Sequence, residues 1–212
     1  MVKKRSKSSS KGSAFEREVC RKLSLWWTHN ERDDVFWRAS QSGGRATTRS
    51  KRGKSTANSA GDVAYLDAIG KPLLDDVCIE IKRGYTAQSD TTGLIDMLPL
   101  NRQPLLYKFI EQAKKSQQNA GAMYWMLIQK RDKRELIVHI PMEMFVAINE
   151  YLDSLTVLLE KLKYVQITVI PDTDPVATAS RFAYFPCTAN SVCIVSTPLS
   201  SFLSLTPPEF FM

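Results

Sequence analysis

Val77-Cys78-Ile79-Glu80-Ile81-Lys82 is the stretch on which the fold turns. Side chains alternate along a strand. Val77, Ile79 and Ile81 therefore face a core, while Cys78, Glu80 and Lys82 face the other way. Two charged side chains on one face of what reads as a central strand need a reason, because a buried charge is costly unless paired. A bound divalent cation supplies one. Eighteen residues upstream, Gly61-Asp62 opens a second strand pattern, Asp62-Val63-Ala64-Tyr65-Leu66, and Gly70-Lys71-Pro72 marks a turn between the two. Asp62 and Glu80 offer the hard oxygen ligands that Mg2+ prefers, with positions left for water and phosphate oxygens. A metal held there would acidify its water and neutralise a scissile phosphate. Lys82 would orient that water or stabilise the developing charge. An E-x-K triplet alone arises easily by chance. Its weight comes from lying in a Val/Ile-rich strand behind an Asp-led one.

Upstream, Phe15, Val19, Leu23, Trp26 and Trp27 recur at helical spacing and predict a helix over residues 13–28. Glu16 neighbours Val19, Cys20 and Leu23 on that helix, at the edge of the apolar stripe. A carboxylate held against the core there is placed to complete the metal site. Val35-Phe36-Trp37-Arg38 predicts a short strand. Downstream, Leu105, Leu106, Phe109, Ile110 and Ala113 predict the inner face of a helix over residues 102–119. Strands are expected at 123–129 and 135–140, joined by a charged turn at 130–134. Pro141 suits a helix start, and apolar spacing from Phe145 to Leu162 carries that helix to about residue 163. Residues 165–170 read as a strand, and the proline-rich residues 171–212 as scattered extended pieces. Helix, strands, helix, strands, helix, strand make a mixed α/β layout, with helices on a central sheet and a C-terminal extension.

The chain has 212 residues, 43% of them hydrophobic and 24% charged, enough for a buried core and too apolar for wholesale disorder. The positive charge is localised. Residues 1–54 hold 15 Lys+Arg against 5 Asp+Glu, whereas residues 55–212 hold 14 against 17. Such a region is the footprint of a polyanion partner, most often nucleic acid. Residues 1–11 read as a disordered basic arm. Residues 43–60 read as a mobile loop carrying Arg45, Arg49, Lys51, Arg52 and Lys54 with no acid. No run approaches the ~18 apolar residues of a membrane helix, and no apolar run follows the basic start, so no secretory signal is expected. The four cysteines include no CxxC pair, which argues against a disulfide framework or a cysteine zinc site and favours a reducing cytoplasm. His29 and His139, the two histidines, lack metal-ligand spacing, and no GK[ST] follows Ser42-Gly43-Gly44, so a nucleotide cofactor is not expected.

Four segments in order resemble the archaeal Holliday junction resolvases of the PD-(D/E)XK nuclease superfamily. They are KGSAFEREVCRKL (11–23), WRASQSGG (37–44), GDVAYL (61–66) and CIEIKRG (78–84). The resemblance covers residues 11–84 and implies a restriction-endonuclease-like core, expected over residues 12–140; residues 141–212 have no counterpart in it and are expected to pack on the core as an extension. It implies that Glu16 is the first-helix acid, that Asp62 and Glu80 bind Mg2+ or Mn2+ with the Ile81 carbonyl, and that Lys82 is the active-site lysine. It places Arg17, Arg38 and Ser42 close to DNA, and implies a homodimer. Gln112 and Lys115, on the helix after the E-x-K strand, stand where many members carry a polar or basic residue near the phosphate. Gly61 departs from the proline usual before the aspartate, and the 43–60 loop and the Asp62–Glu80 spacing are both long.

The reading that follows is a Mg2+-dependent endodeoxyribonuclease of DNA recombination, similar to a junction resolvase. A restriction-type, phage or mobile-element nuclease acting on duplex or other branched DNA is one alternative. A non-catalytic DNA-binding protein on a nuclease-like core is the other.

Overall fold

The computed structural model of the chain describes residues 7–39, 61–83, 105–152, 166–171 and 191–212. Helix α1 (Lys7–Trp27) begins six residues before the predicted start, taking in part of the expected arm. Strands β1 (Phe36–Arg38) and β2 (Val63–Tyr65) follow, paired antiparallel. The expected turn at residues 70–72 is instead a short 3-10 turn, Ala68–Gly70, running into helix α2 (Lys71–Asp76), with Pro72 near its start where a missing N–H costs nothing.

Strand β3 (Val77–Arg83) pairs parallel with β4 (Tyr124–Lys130) across helix α3 (Leu105–Ala120). Strand β5 (Leu136–Pro141) returns antiparallel, and helix α4 (Met142–Tyr151) starts directly after Pro141. The last elements are β6 (Gln166–Pro171), β7 (Ser191–Pro198), helix α5 (Leu199–Leu205) and a 3-10 turn, Pro208–Phe211.

The sheet order is β3-β4-β5-β7-β6, with β1-β2 as a separate ribbon. Two expectations are corrected here. Strand β3 is an edge strand of the five-stranded sheet, not a central one. Strand β7 is internal, between β5 and β6, where the sequence shows only scattered extended pieces.

Alternation along the strands assigns the two faces. On one, Val77, Ile79, Ile81, Met126, Ile128, Val138 and Ile140 pack against Phe15, Val19, Leu23 and Trp27 of α1, with Phe202 and Phe211 from the chain's end. On the other, Trp125, Leu127 and Ile194 lie under Leu106, Phe109, Ile110 and Ala113 of α3. Each such large side chain contributes roughly 1.5–3 kcal/mol by leaving water. Polar pins fix α1 to its neighbours. Buried Ser24 Oγ accepts from the Phe36 N–H at 2.8 Å, and Trp27 Nε1 donates to the Ile69 carbonyl at 2.8 Å. Trp37, by contrast, is 44% exposed on β1. No helix among the described residues is long and apolar enough to cross a membrane.

Candidate active site

The outer edge of β3 is where Asp62 docks. The Asp62 N–H donates to the Ile79 carbonyl at 2.8 Å, and Asp62 Oδ2 accepts the Ile81 N–H at 2.8 Å. The Asp62 carbonyl in turn accepts from the Ala39 N–H at 2.9 Å. One aspartate thus stitches the β1–β2 ribbon to the sheet edge. Gly61 makes this approach possible. Its φ is +74°, and a Cβ there would lie 2.6 Å from the Ile79 carbonyl oxygen. A residue's N–H and C=O project to the same edge of a strand, so the Ile81 carbonyl faces Asp62 as well.

Glu80 points to the α3 face and is 3% exposed, while Asp62 is 8% exposed. Every Glu80 oxygen is engaged. Oε1 accepts from Ser116 Oγ at 2.7 Å, and Oε2 accepts from Gln112 Nε2 at 2.9 Å and Lys82 Nζ at 2.8 Å. Lys82 Nζ also lies 3.8 Å from Asp62 Oδ2, so one ammonium spans both carboxylates. Burial pushes the Glu80 carboxyl above the usual carboxylate range, and nearby Asp62 pushes it further, with Lys82 opposing. Two carboxylates held this close in a low-dielectric site, sharing one lysine, are short of positive charge. An added cation is what this donor set fits, with the Ile81 carbonyl as a third oxygen. Among the described residues no three His, Cys, Asp or Glu side chains gather into a group able to hold a metal.

Glu16 Oε2 accepts from Arg38 Nε at 2.8 Å, so two residues singled out in the sequence are joined to each other. Arg38 pairs in register with Val63, next to Asp62. The Cys20 thiol is pushed up to about 12 by burial, and the charges of Glu16 and Asp62 add to that shift, so both carboxylates lie within its electrostatic reach. Arg17 is exposed on α1, and Lys115 is exposed on α3. Ser42, Arg45, Arg49, Lys51, Arg52 and Lys54 lie outside the described residues.

Gln112, which the sequence places near the phosphate, donates to Glu80 Oε2. Ser116 was missed. It follows Gln112 by four residues, so both occupy one helix face above Glu80. That spacing was the available signal.

Neither the curated proteins nor the solved structures contain a match to the chain. A family model does match it, over residues 7–173, well beyond half its length. The family is described as "Phage putative PDDEXK endonuclease", and the matched span holds α1, the ribbon, β3 with Asp62 on its edge, and α3. Nucleases of the PD-(D/E)XK class generally act with divalent metal ions. With its Asp-led edge, its E-x-K strand and a matching family model, the chain belongs to this phage PD-(D/E)XK endonuclease family.

Proposed function

We propose that the chain is a cytoplasmic, metal-dependent DNA endonuclease that hydrolyses phosphodiester bonds in branched DNA, four-way junctions among them, as a homodimer. The observation that carries the chemistry is the trio of buried Asp62 and Glu80 with Lys82, whose Nζ lies 2.8 Å from Glu80 and 3.8 Å from Asp62. Asp62, Glu80 and the Ile81 carbonyl would hold the ion, Mg2+ or Mn2+. When bound, the ion supplies charge neutralisation at the phosphate and a more acidic water.

The chain's own residues do the rest. Ser116 and Gln112 keep hydrogen bonds on both Glu80 oxygens, so Lys82 can leave Glu80 without stranding it. Freed, the Lys82 ammonium is placed to orient the attacking water or to donate to a phosphate oxygen. The Ile81 N–H holds Asp62 Oδ2 in place throughout. The Glu16–Arg38 pair lies beside the β2 entry to Asp62, where Glu16 supports the ion's site and Arg38 approaches the phosphates. The Arg45–Lys54 segment supplies further phosphate contacts.

The phage family is also compatible with a second reading, a restriction-type, phage or mobile-element nuclease acting on duplex or other branched DNA. One gel separates the two. Parent and Glu80→Ala protein are incubated with labelled four-way junction and matched duplex, in Mg2+, Mn2+ or EDTA. Metal-dependent paired cuts in the junction alone, absent in the variant, are expected. Equal cutting of duplex moves the substrate to the second reading. Cutting by Asp62→Ala or Glu80→Ala at the parent rate overturns the site.

A further inference from the structure

The active-site strand ends in a second cation that points the other way. Lys82 lies on the α3 face with Glu80, whereas Arg83 shares the α1 face with Ile79 and Ile81. Its register partner across the parallel ladder is Lys130. The Arg83 guanidinium and the Lys130 ammonium both lie over the ring of Phe15, at 5.3 and 5.9 Å from its centroid. Like charges directly opposite on neighbouring strands destabilise a sheet. The shared ring offsets part of that repulsion, and Glu18 approaches Lys130 only at 4.0 Å. The turn that follows Lys130 adds Arg131, Lys133 and Arg134, against Asp132 and then Glu135. Of the 14 Lys+Arg in residues 55–212, six therefore collect at this one end of β3 and β4, in a segment otherwise net acidic.

We propose that Arg83, Lys130 and the β4–β5 turn form a phosphate-binding ridge for the DNA backbone flanking the cleaved bond. The assignment rests on the nuclease reading above. Phosphates recur every ~3.4 Å of axis along each strand of a duplex. A strand with one phosphate at Lys82 and Glu80 that passes round the C-terminal end of β3 would bring later phosphates to Arg83 and Lys130 on the other face. The Phe15 ring holds the two cations in place before DNA arrives, so little side-chain freedom is lost on binding.

The test measures binding of a labelled linear duplex in EDTA over a salt series. The proteins are the parent, Arg83→Gln/Lys130→Gln, the exposed-turn pair Lys133→Gln/Arg134→Gln, and the charge-keeping Arg83→Lys/Lys130→Arg. Each Gln pair is expected to weaken binding about tenfold or more and to lower the salt slope by about 1–2, at ~0.9 per lost phosphate contact. The charge-keeping pair should retain the parent slope. A role confined to packing on Phe15 would leave every slope unchanged, and that result overturns the ridge. In cleavage assays the Gln pairs should lose more in KM for DNA than in kcat. A parent that binds with the expected slope but cuts with no divalent metal defeats the nuclease reading and leaves the ridge standing. A parent that cuts, with slopes unmoved in both Gln pairs, defeats the ridge alone.

Discussion

Replacing Gly61 by alanine should damage this protein far more than the loss of two hydrogens suggests. Gly61 has φ +74°. An L-residue there costs about 1–2 kcal/mol relative to glycine. A Cβ would also sit 2.6 Å from the Ile79 carbonyl oxygen and 3.1 Å from Cys78 Sγ. The first contact is with backbone, which no side-chain rotation relieves. Relief requires moving Asp62 away from β3, against its 2.8 Å bonds to Ile79 and Ile81. Losing one of these adds about 1 kcal/mol, for a total of roughly 2–3 kcal/mol.

Gly121 is the internal control. Its φ is +71° and nothing lies within 4 Å of its missing Cβ, so Gly121→Ala should cost the same ~1–2 kcal/mol of left-handed strain and nothing more. Urea unfolding of both variants measures the difference. Gly61→Ala protein that remains folded should also cut DNA about 100-fold more slowly, because a displacement of ~1 Å in a catalytic group costs that much. Gly61→Pro would install the superfamily's usual residue and should do worse, since proline holds φ near −65°. If Gly61→Ala is no more destabilising than Gly121→Ala, and cuts at the parent rate, the account of how Asp62 reaches the strand edge is wrong.

Two further outcomes follow from polar groups, one beside Glu80 and one in the core. Ser116→Ala removes the 2.7 Å donor to Glu80 Oε1, and should lower metal affinity and cleavage by about 10-fold. A titration showing the loss mainly at limiting metal, and recovery at saturating metal, is the expected signature, and a parent-like metal midpoint would refute it. His139 is buried with Nδ1 against Ser196 Oγ at 2.8 Å, Nε2 has no partner, and burial lowers its pKa from 6.5 to about 4. Below pH 6.5 the unfolded chain binds a proton that the folded chain refuses, so stability falls with pH until about pH 4. Between pH 7 and pH 5, parent protein should lose about 2 kcal/mol more than His139→Gln in urea unfolding. Equal losses would show that His139 does not titrate as its burial implies.

The sequence is most legible where burial has a local period. The alternation of Val77, Ile79 and Ile81 against Glu80 and Lys82 locates β3 and assigns its two faces correctly. Helical spacing in α1 and α3 identifies the residues that cover the sheet, and Glu16 emerges at the edge of its stripe. These patterns work because a strand or helix meets its neighbours along one face, so each residue's environment repeats with the backbone. With the four ordered segments of the resemblance, they also lead from sequence to the nuclease superfamily that the family model bears out.

What tertiary structure alone decided is which distant segments meet. Strand β7 enters between β5 and β6 by pairing with residues far away in the chain, and no local period announces such a partner. The edge position of β3 has the same cause: it depends on which strands are neighbours, not on what β3 contains. Asp62 reaches Glu80's strand through one backbone and one side-chain hydrogen bond that need a left-handed Gly61, and Ser116 reaches Glu80 only after α3 has crossed the sheet. Trp37, which reads as an ordinary apolar strand residue, ends up 44% exposed because its short ribbon has one face off the core. The sequence determined which side chains must be buried and which buried charges need partners. The fold decided the partners, because hydrogen bonds and ion pairs depend on distances of a few ångströms that only long-range packing sets.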